Sequence, residues 1–79
     1  MNNHRNPSPT EVRSIFSDTY RFYDKWIAVK LIDWDLVIAE SHEIELRYPF
    51  ELTVKMLVEL ITIIETNYMS QMEENNNGS

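Results

Sequence analysis

The chain of 79 residues contains no cysteine and a single glycine, Gly78. Without cysteine, neither a disulfide nor a thiolate nucleophile is available. Without glycine in the body of the chain, the tight turns that join hairpin strands are hard to build, and no glycine-rich loop can hold a phosphate group. The sequence therefore disfavours a meander of strands, a nucleotide-binding loop and cysteine chemistry.

Basic residues are scarce after residue 30. Residues 31–79 contain two basic residues against ten acidic ones, whereas residues 1–30 carry a small basic excess, and the whole chain has a formal charge of −6. Such a surface repels a phosphate backbone, so a regulator that binds nucleic acid through its first helix is the least favoured function. A basic protein partner fits better, although acids that only solvate the outer helix faces explain the same excess.

Long apolar runs are also missing. Acidic residues interrupt every apolar segment, at Asp33, Asp35, Glu59 and Glu65, so none reaches the ~20 residues that a membrane-spanning helix needs. The amino-terminal residues are polar and show no signal peptide. We therefore expect a soluble, cytoplasmic protein without a membrane partner.

The first clear structural signal is the segment Ser8-Pro9-Thr10-Glu11. A serine cap, a proline at the first helical position and a glutamate three residues after the cap predict a helix start, and the helix is expected over 9–28. Apolar residues then recur at intervals of three and four, which is typical of one buried helix face. These residues are Val12, Ile15, Phe16, Tyr20, Phe22, Tyr23, Trp26 and Ile27.

A second helix is predicted over 34–47, with Asp33 as its cap and Asp35 in its first turn, where a negative charge favours the helix dipole. Residues 29–32 are compatible with an extended connector, with an extra turn or with a longer first helix. Pro49 ends the second helix and suits the start of a third, expected over 50–68. The positions expected to face the core are Trp34, Val37, Ile38, Ser41, Ile44 and Tyr48 in or next to the second helix, and Leu52, Met56, Leu57, Leu60, Ile61, Ile63, Ile64 and Tyr68 in the third.

Three helices with short connections predict an all-α fold, an antiparallel three-helix bundle. It forms a single domain over 8–69, between polar segments at 1–7 and 70–79 that are expected to be disordered. The apolar face of the third helix is wider than two neighbours need, because of extra positions at Val54, Val58 and Thr62. This surplus indicates either a central helix or self-association through the helix at 50–68.

The residues that could carry chemistry are poorly arranged for it. Ser41 and His42 are adjacent in sequence, and neighbours on a helix point in different directions. Glu40 and Glu43 share one face of the second helix, while His42 and Glu45 share another, so neither pair forms a metal cage. The sequence predicts a protein that is not an enzyme and that has no metal site and no cofactor.

Aromatic and basic residues alternate in the first helix, as on a surface that stacks nucleic-acid bases. Their helical spacing favours the core instead, with Tyr20 or Phe22 left at the edge. An exposed ring flanked by Arg13 and Arg21 would be the best candidate contact surface in the chain.

The combined pattern of segments 20–26 and 33–40, Tyr48 and the aliphatic helix that closes at 63–65 resembles short all-helical proteins encoded by Gram-positive bacteria, their phages and conjugative elements. The resemblance covers residues 12–66. Proteins of this type have no known activity, so no functional residue is carried over. The resemblance implies a small helical accessory protein and favours a role in mobile-element or defence biology.

The leading functional hypothesis is a non-enzymatic, acidic module for protein–protein interaction. The alternative is a phage or mobile-element inhibitor, of the anti-CRISPR or anti-restriction type, whose acidic surface blocks the basic nucleic-acid channel of a defence enzyme. The candidate partner-binding residues are Glu40, Glu43, Glu45, Glu51, Glu59, Glu65, Arg13, Tyr20 and Arg21.

Overall fold

A computed structural model describes the backbone of residues 6–77 and the side chains of residues 6–73. Within this range the chain forms three helices, α1 (Pro9–Ile27), α2 (Trp34–Arg47) and α3 (Glu51–Asn77), and no strand. Each helix contacts the other two, and α1 packs most extensively on α3. The predicted all-α, three-helix fold is confirmed. No described helix is both long and apolar enough to cross a lipid bilayer.

The start of α1 is the capping box that the sequence predicts. The Ser8 hydroxyl accepts a hydrogen bond from the Glu11 N–H at 3.1 Å, and the Glu11 carboxylate accepts one from the Ser8 N–H at 2.8 Å. Pro9 occupies the first turn, where its missing N–H leaves no bond unmade. Local side chains therefore satisfy the free backbone donors of this helix end.

Residues 29–32 form a non-helical connector, so neither the extra turn nor the longer first helix occurs. Asp33 follows the connector and caps the start of α2, because its carboxylate accepts hydrogen bonds from the N–H groups of Asp35 and Leu36 at 3.1 and 3.4 Å. Val29 and Ile32 pack against the core, which ties the connector to the bundle.

The third helix begins at Glu51, after Tyr48 and Pro49 have ended α2, but it does not end where the sequence predicts. It continues to Asn77, nine residues past the expected end at residue 68, and the expected disorder of 70–79 stays a prediction. Residues 69–77 contain neither glycine nor proline, and extending an existing helix costs no new nucleation. The predictions for residues 1–5 and 78–79 lie outside the described part of the chain.

The core is built from one stripe of each helix. Buried threonine and serine side chains complete it where helices approach closely, at Thr19, Ser41 and Thr53. Its buried apolar members are Ile15, Phe22, Trp26, Val37, Ile44, Phe50, Leu57 and Ile64.

Three residues that were expected inside lie at the surface: Phe16, Ile38 and Ile63 are 54, 57 and 48 % exposed. On an ideal helix each lies about 90–110° from the centre of the buried stripe of its helix, where the neighbouring helices no longer cover it. The predicted stripes were therefore wider than the true contact faces.

Side-chain contacts give the order in which residues of α1 and α2 meet. Asp18 of α1 contacts Arg47 at the end of α2, whereas Trp26, two turns later in α1, contacts Glu40 in the middle of α2. Both contacts join α1 to α2.

Candidate interaction surfaces

A charged groove runs between α1 and α2, above the buried side chains of Phe22 and Ile44. Its walls combine three acidic with three basic side chains. These are Asp18, Glu40 and Glu43, and Arg21, Lys25 and Arg47.

At one end of this groove Glu40 bridges to two consecutive residues of α1. Its carboxylate accepts a hydrogen bond from the Trp26 indole N–H at 2.9 Å and another from the Lys25 ammonium group, which lies 4.9 Å from the centre of the indole ring. The hydrogen bond from Lys25 lowers the pKa of Glu40, burial opposes this effect, and the indole N–H adds to it. Because the folded-state pKa is lowered, this contact stabilises the fold above the ordinary carboxyl pKa and weakens as the pH falls through the lowered value.

At the other end Asp18 holds the carboxyl end of α2. Its carboxylate accepts hydrogen bonds from the Tyr48 hydroxyl at 2.8 Å and from Arg47 at 2.9 Å, and Arg21 lies 3.7 Å away. The hydrogen bond to Asp18 raises the pKa of the Tyr48 hydroxyl, and burial raises it further. The tyrosine therefore stays protonated and remains a donor at neutral pH.

The charged side chains of the groove hold α1 against α2. The carboxylates of Asp18 and Glu40, with side chains 20 and 33 % exposed, are engaged by donors from the facing helix. The described residues contain no group of three side chains that could hold a metal ion. Nothing in the groove pairs a nucleophile with a base.

The structure separates the candidate glutamates of α2. Glu40 and Glu43 line the groove, whereas Glu45 lies on another side of the helix, where its carboxylate is 4.0 Å from the imidazole of His42. The glutamates of α3 are also divided. Glu51 and Glu65 share one side, and Glu59 lies about 120° around the helix from Glu65. The six candidate acids thus do not form one surface.

The candidate residues of α1 lie on two different sides of the helix. Arg13 and Tyr20 share an exposed side with Phe16, which the sequence had placed in the core, and Tyr20 is 63 % exposed. Arg21 points elsewhere, towards Asp18. Of the two rings considered for the edge, Tyr20 is at the surface and Phe22 is buried.

A row of exposed apolar residues lies on α3, with Glu65 among them. We call it the outer stripe, a set of five exposed residues that fall within a sector of about 60° and span about 27 Å along the helix. Its members are Val54, Val58, Glu65, Met69 and Met72. Ile61, which is half-buried and packs on the core, borders the stripe on the side of the bundle.

Sequence reasoning found only part of this stripe. It identified Val54 and Val58 as surplus apolar positions and Glu65 as a candidate contact. It missed Met69 and Met72, because both lie beyond the predicted end of the helix.

The apolar surface also continues towards α2. Trp34 of α2 meets Tyr68 of α3 edge to face, with ring centres 5.6 Å apart. Ile38 follows Trp34 by one helical turn on the same side of α2 and is exposed. This side of the bundle therefore presents large apolar side chains from two helices.

No family model, no curated protein and no solved structure matches the chain. The function must therefore be argued from these surfaces.

Proposed function

We propose that this protein is a non-enzymatic helical module that binds another protein through the outer stripe of α3. The observation that carries the proposal is the exposure of four large apolar side chains on one side of one helix. Val54, Val58, Met69 and Met72 are between 43 and 59 % exposed. Covering such a row of side chains contributes free energy in proportion to the apolar area removed from water, about 25 cal/mol per Å².

The shape of α3 supports this proposal. The helix has 27 residues, against 19 in α1 and 14 in α2. Its contact with the start of α2 is made by Tyr68, and nine further helical residues follow. An amphipathic helix that extends past its own bundle can be accommodated in a groove of a partner or beside a partner helix. Methionine side chains suit such a surface because they adapt their shape to what covers them.

Two observations support a role without catalysis. The carboxylates in the groove between α1 and α2 are engaged in ion pairs and hydrogen bonds across the helix contact. His42 lies on an exposed face, beside a glutamate rather than beside a nucleophile. Catalytic acids and bases instead need access to a substrate and a reacting partner within hydrogen-bond reach.

The alternative, an inhibitor that imitates a nucleic-acid backbone, would need one continuous acidic face. The candidate glutamates lie on several faces of α2 and α3, and Glu40 is paired with Lys25. No specific observation favours this alternative over binding through the outer stripe.

Site-specific photocrosslinking tests the proposal in cells that produce the protein. A benzophenone amino acid at position 58, in the outer stripe, is expected to give a discrete crosslinked product. The matched control carries the same group at position 59, one residue away but on another side of α3, and is expected to give little of that product. Circular dichroism checks that both variants keep the helical fold. No product from position 58, or equal products from both positions, would refute the proposal.

A further inference from the structure

Resting on this proposed function, we infer that the occupant of the outer stripe is a basic amphipathic helix of another protein, which places a lysine or arginine opposite Glu65. The order of residues along the stripe and the charges around it indicate the chemistry of the partner.

The spacing along the stripe fits a helix as its occupant. Together with Ile61 on its inner border, the stripe residues follow one another at steps of four, three, four, four and three residues along α3. This is the repeat with which one helix packs along another, since residues three and four apart lie one above the other on one face. A partner strand or loop would not match this repeat over five turns.

The charge in the middle of the stripe selects the partner. Glu65 is exposed and lies between the apolar pairs Val54 and Val58 on one side and Met69 and Met72 on the other. A partner that covers the apolar residues must also remove water from this carboxylate. Burying an unpaired carboxylate costs several kcal/mol, whereas a facing cation with hydrogen bonds compensates for that cost.

No cation of α3 can provide this compensation from within the stripe. Residues 56–79 contain four glutamates and no lysine, arginine or histidine. Lys55 lies ten residues before Glu65 and about 80° around the helix from it. The acidic surroundings attract a basic segment and raise its rate of association at low salt.

A second copy of this chain fits the stripe less well. If two α3 helices paired along their stripes, each Glu65 would face an apolar or an acidic side chain. In another copy of this chain, the exposed side of α1 with Arg13, Phe16 and Tyr20 would present a cation to Glu65. The docking of this side on α3 would be either a reciprocal two-fold contact or a head-to-tail contact. The variant Arg13→Glu distinguishes this occupant from a basic helix of another protein.

The test uses the full chain and a synthetic helical peptide of about 18 residues, long enough to cover the stripe. The peptide contains leucine at helical spacing and lysine elsewhere, carries a fluorophore, and is titrated by anisotropy. Two comparison peptides replace every lysine with glutamate or scramble the same leucine and lysine composition. The lysine peptide with ordered leucines is expected to bind at least about tenfold more tightly than either comparison peptide.

Two charge reversals locate the binding site. Glu65→Lys is expected to weaken binding of the lysine peptide by roughly tenfold, because it places like charges opposite one another inside the contact. Glu59→Lys makes the same change in net charge on another side of α3 and is expected to change affinity by less than about twofold. Equal losses from the two variants would mean unspecific attraction to an acidic protein and would overturn the inference.

Other outcomes would overturn it as well. Equal binding of the glutamate peptide would contradict the charge assignment. Concentration-dependent self-association that Arg13→Glu abolishes would identify a second copy as the occupant. The two proposals fail in different ways: without a crosslink from position 58, binding through α3 itself is wrong. If that crosslink forms while the lysine peptide neither binds nor displaces the crosslinked partner, only the identity of the occupant is wrong.

Discussion

Two buried threonines of this small core differ in one hydrogen bond. The Thr19 hydroxyl donates to the Ile15 carbonyl oxygen at 2.7 Å. The Thr53 hydroxyl is equally buried, and no hydrogen-bond partner for it is found among the described residues. An unsatisfied buried hydroxyl costs about 1–3 kcal/mol relative to one that is hydrogen-bonded. The two positions therefore respond differently to the same substitution.

Thr53→Val is expected to raise the free energy of unfolding by about 1 kcal/mol, because valine keeps the shape of threonine and removes the unsatisfied hydroxyl. Urea unfolding followed by circular dichroism measures the difference. Thr19→Val is the matched control, and it is expected to be neutral or destabilising because it removes a hydrogen bond that is made. Stabilisation of the same size at both positions would show that valine is simply preferred in this core.

Single residues were predicted well where their role is local. The Ser8 and Asp33 caps depend only on side chains within three residues, so the sequence shows them directly. The burial of Phe16 and Ile38 depends instead on how far a neighbouring helix reaches. Periodicity cannot supply that distance, and both side chains were wrongly placed inside.

Among the elements, α3 has two parts with different roles. Its first part, to Tyr68, packs in the bundle and carries Leu57 and Ile64 of the core. Its second part, residues 69–77, continues as helix beyond the contact between Tyr68 and Trp34. The first part stabilises the fold, and the second part presents Met69 and Met72.

Truncation separates these two parts. A chain that ends after Met69 is expected to have a free energy of unfolding within about 0.5 kcal/mol of that of the full chain, because the described side chains it loses, those of residues 70–73, are exposed. A chain that ends after Asn67 also loses the Tyr68 ring and its edge-to-face contact, and we expect about 1–2 kcal/mol of destabilisation. Thermal and urea unfolding of the three chains provide the comparison. A large loss of stability in the chain that ends after Met69 would mean that the end of α3 stabilises the bundle.

The bounds of the helices were predictable where the chain marks them. The bounds of α2 agree with the predicted 34–47, and α1 ends one residue early, because caps and proline define those ends. The first glycine or proline after Pro49 is Gly78, which directly follows the observed end of α3 at Asn77, so no helix-ending residue marks the predicted end at 68. The polar composition of residues 70–79 predicts disorder, whereas glutamine, glutamate and methionine are good helix formers.

At the scale of the whole molecule, the acidic excess is distributed over several faces. Some of it is used inside the fold, where Asp18 and Glu40 join α1 to α2. The sequence predicted an acidic module with surplus apolar width on its third helix, and Val54 and Val58 are indeed exposed. It did not identify Glu65 as an interruption of the same stripe, although Val54, Val58 and Glu65 lie within about 40° of one another on an ideal helix.

This interruption explains why the outer stripe need not cause self-association. Glu65→Leu is expected to strengthen self-association by at least about tenfold, because it joins the apolar residues before and after it into one uninterrupted seam. Glu59→Leu removes the same charge and adds the same side chain on another side of the helix, and it is expected to leave the association constant within about twofold of the original chain. Sedimentation equilibrium over a range of concentrations measures all three proteins. If Glu59→Leu associates as strongly as Glu65→Leu, general hydrophobicity rather than the stripe controls association. If neither variant differs from the original chain, Glu65 does not keep copies apart, and the argument for a basic partner loses its physical basis.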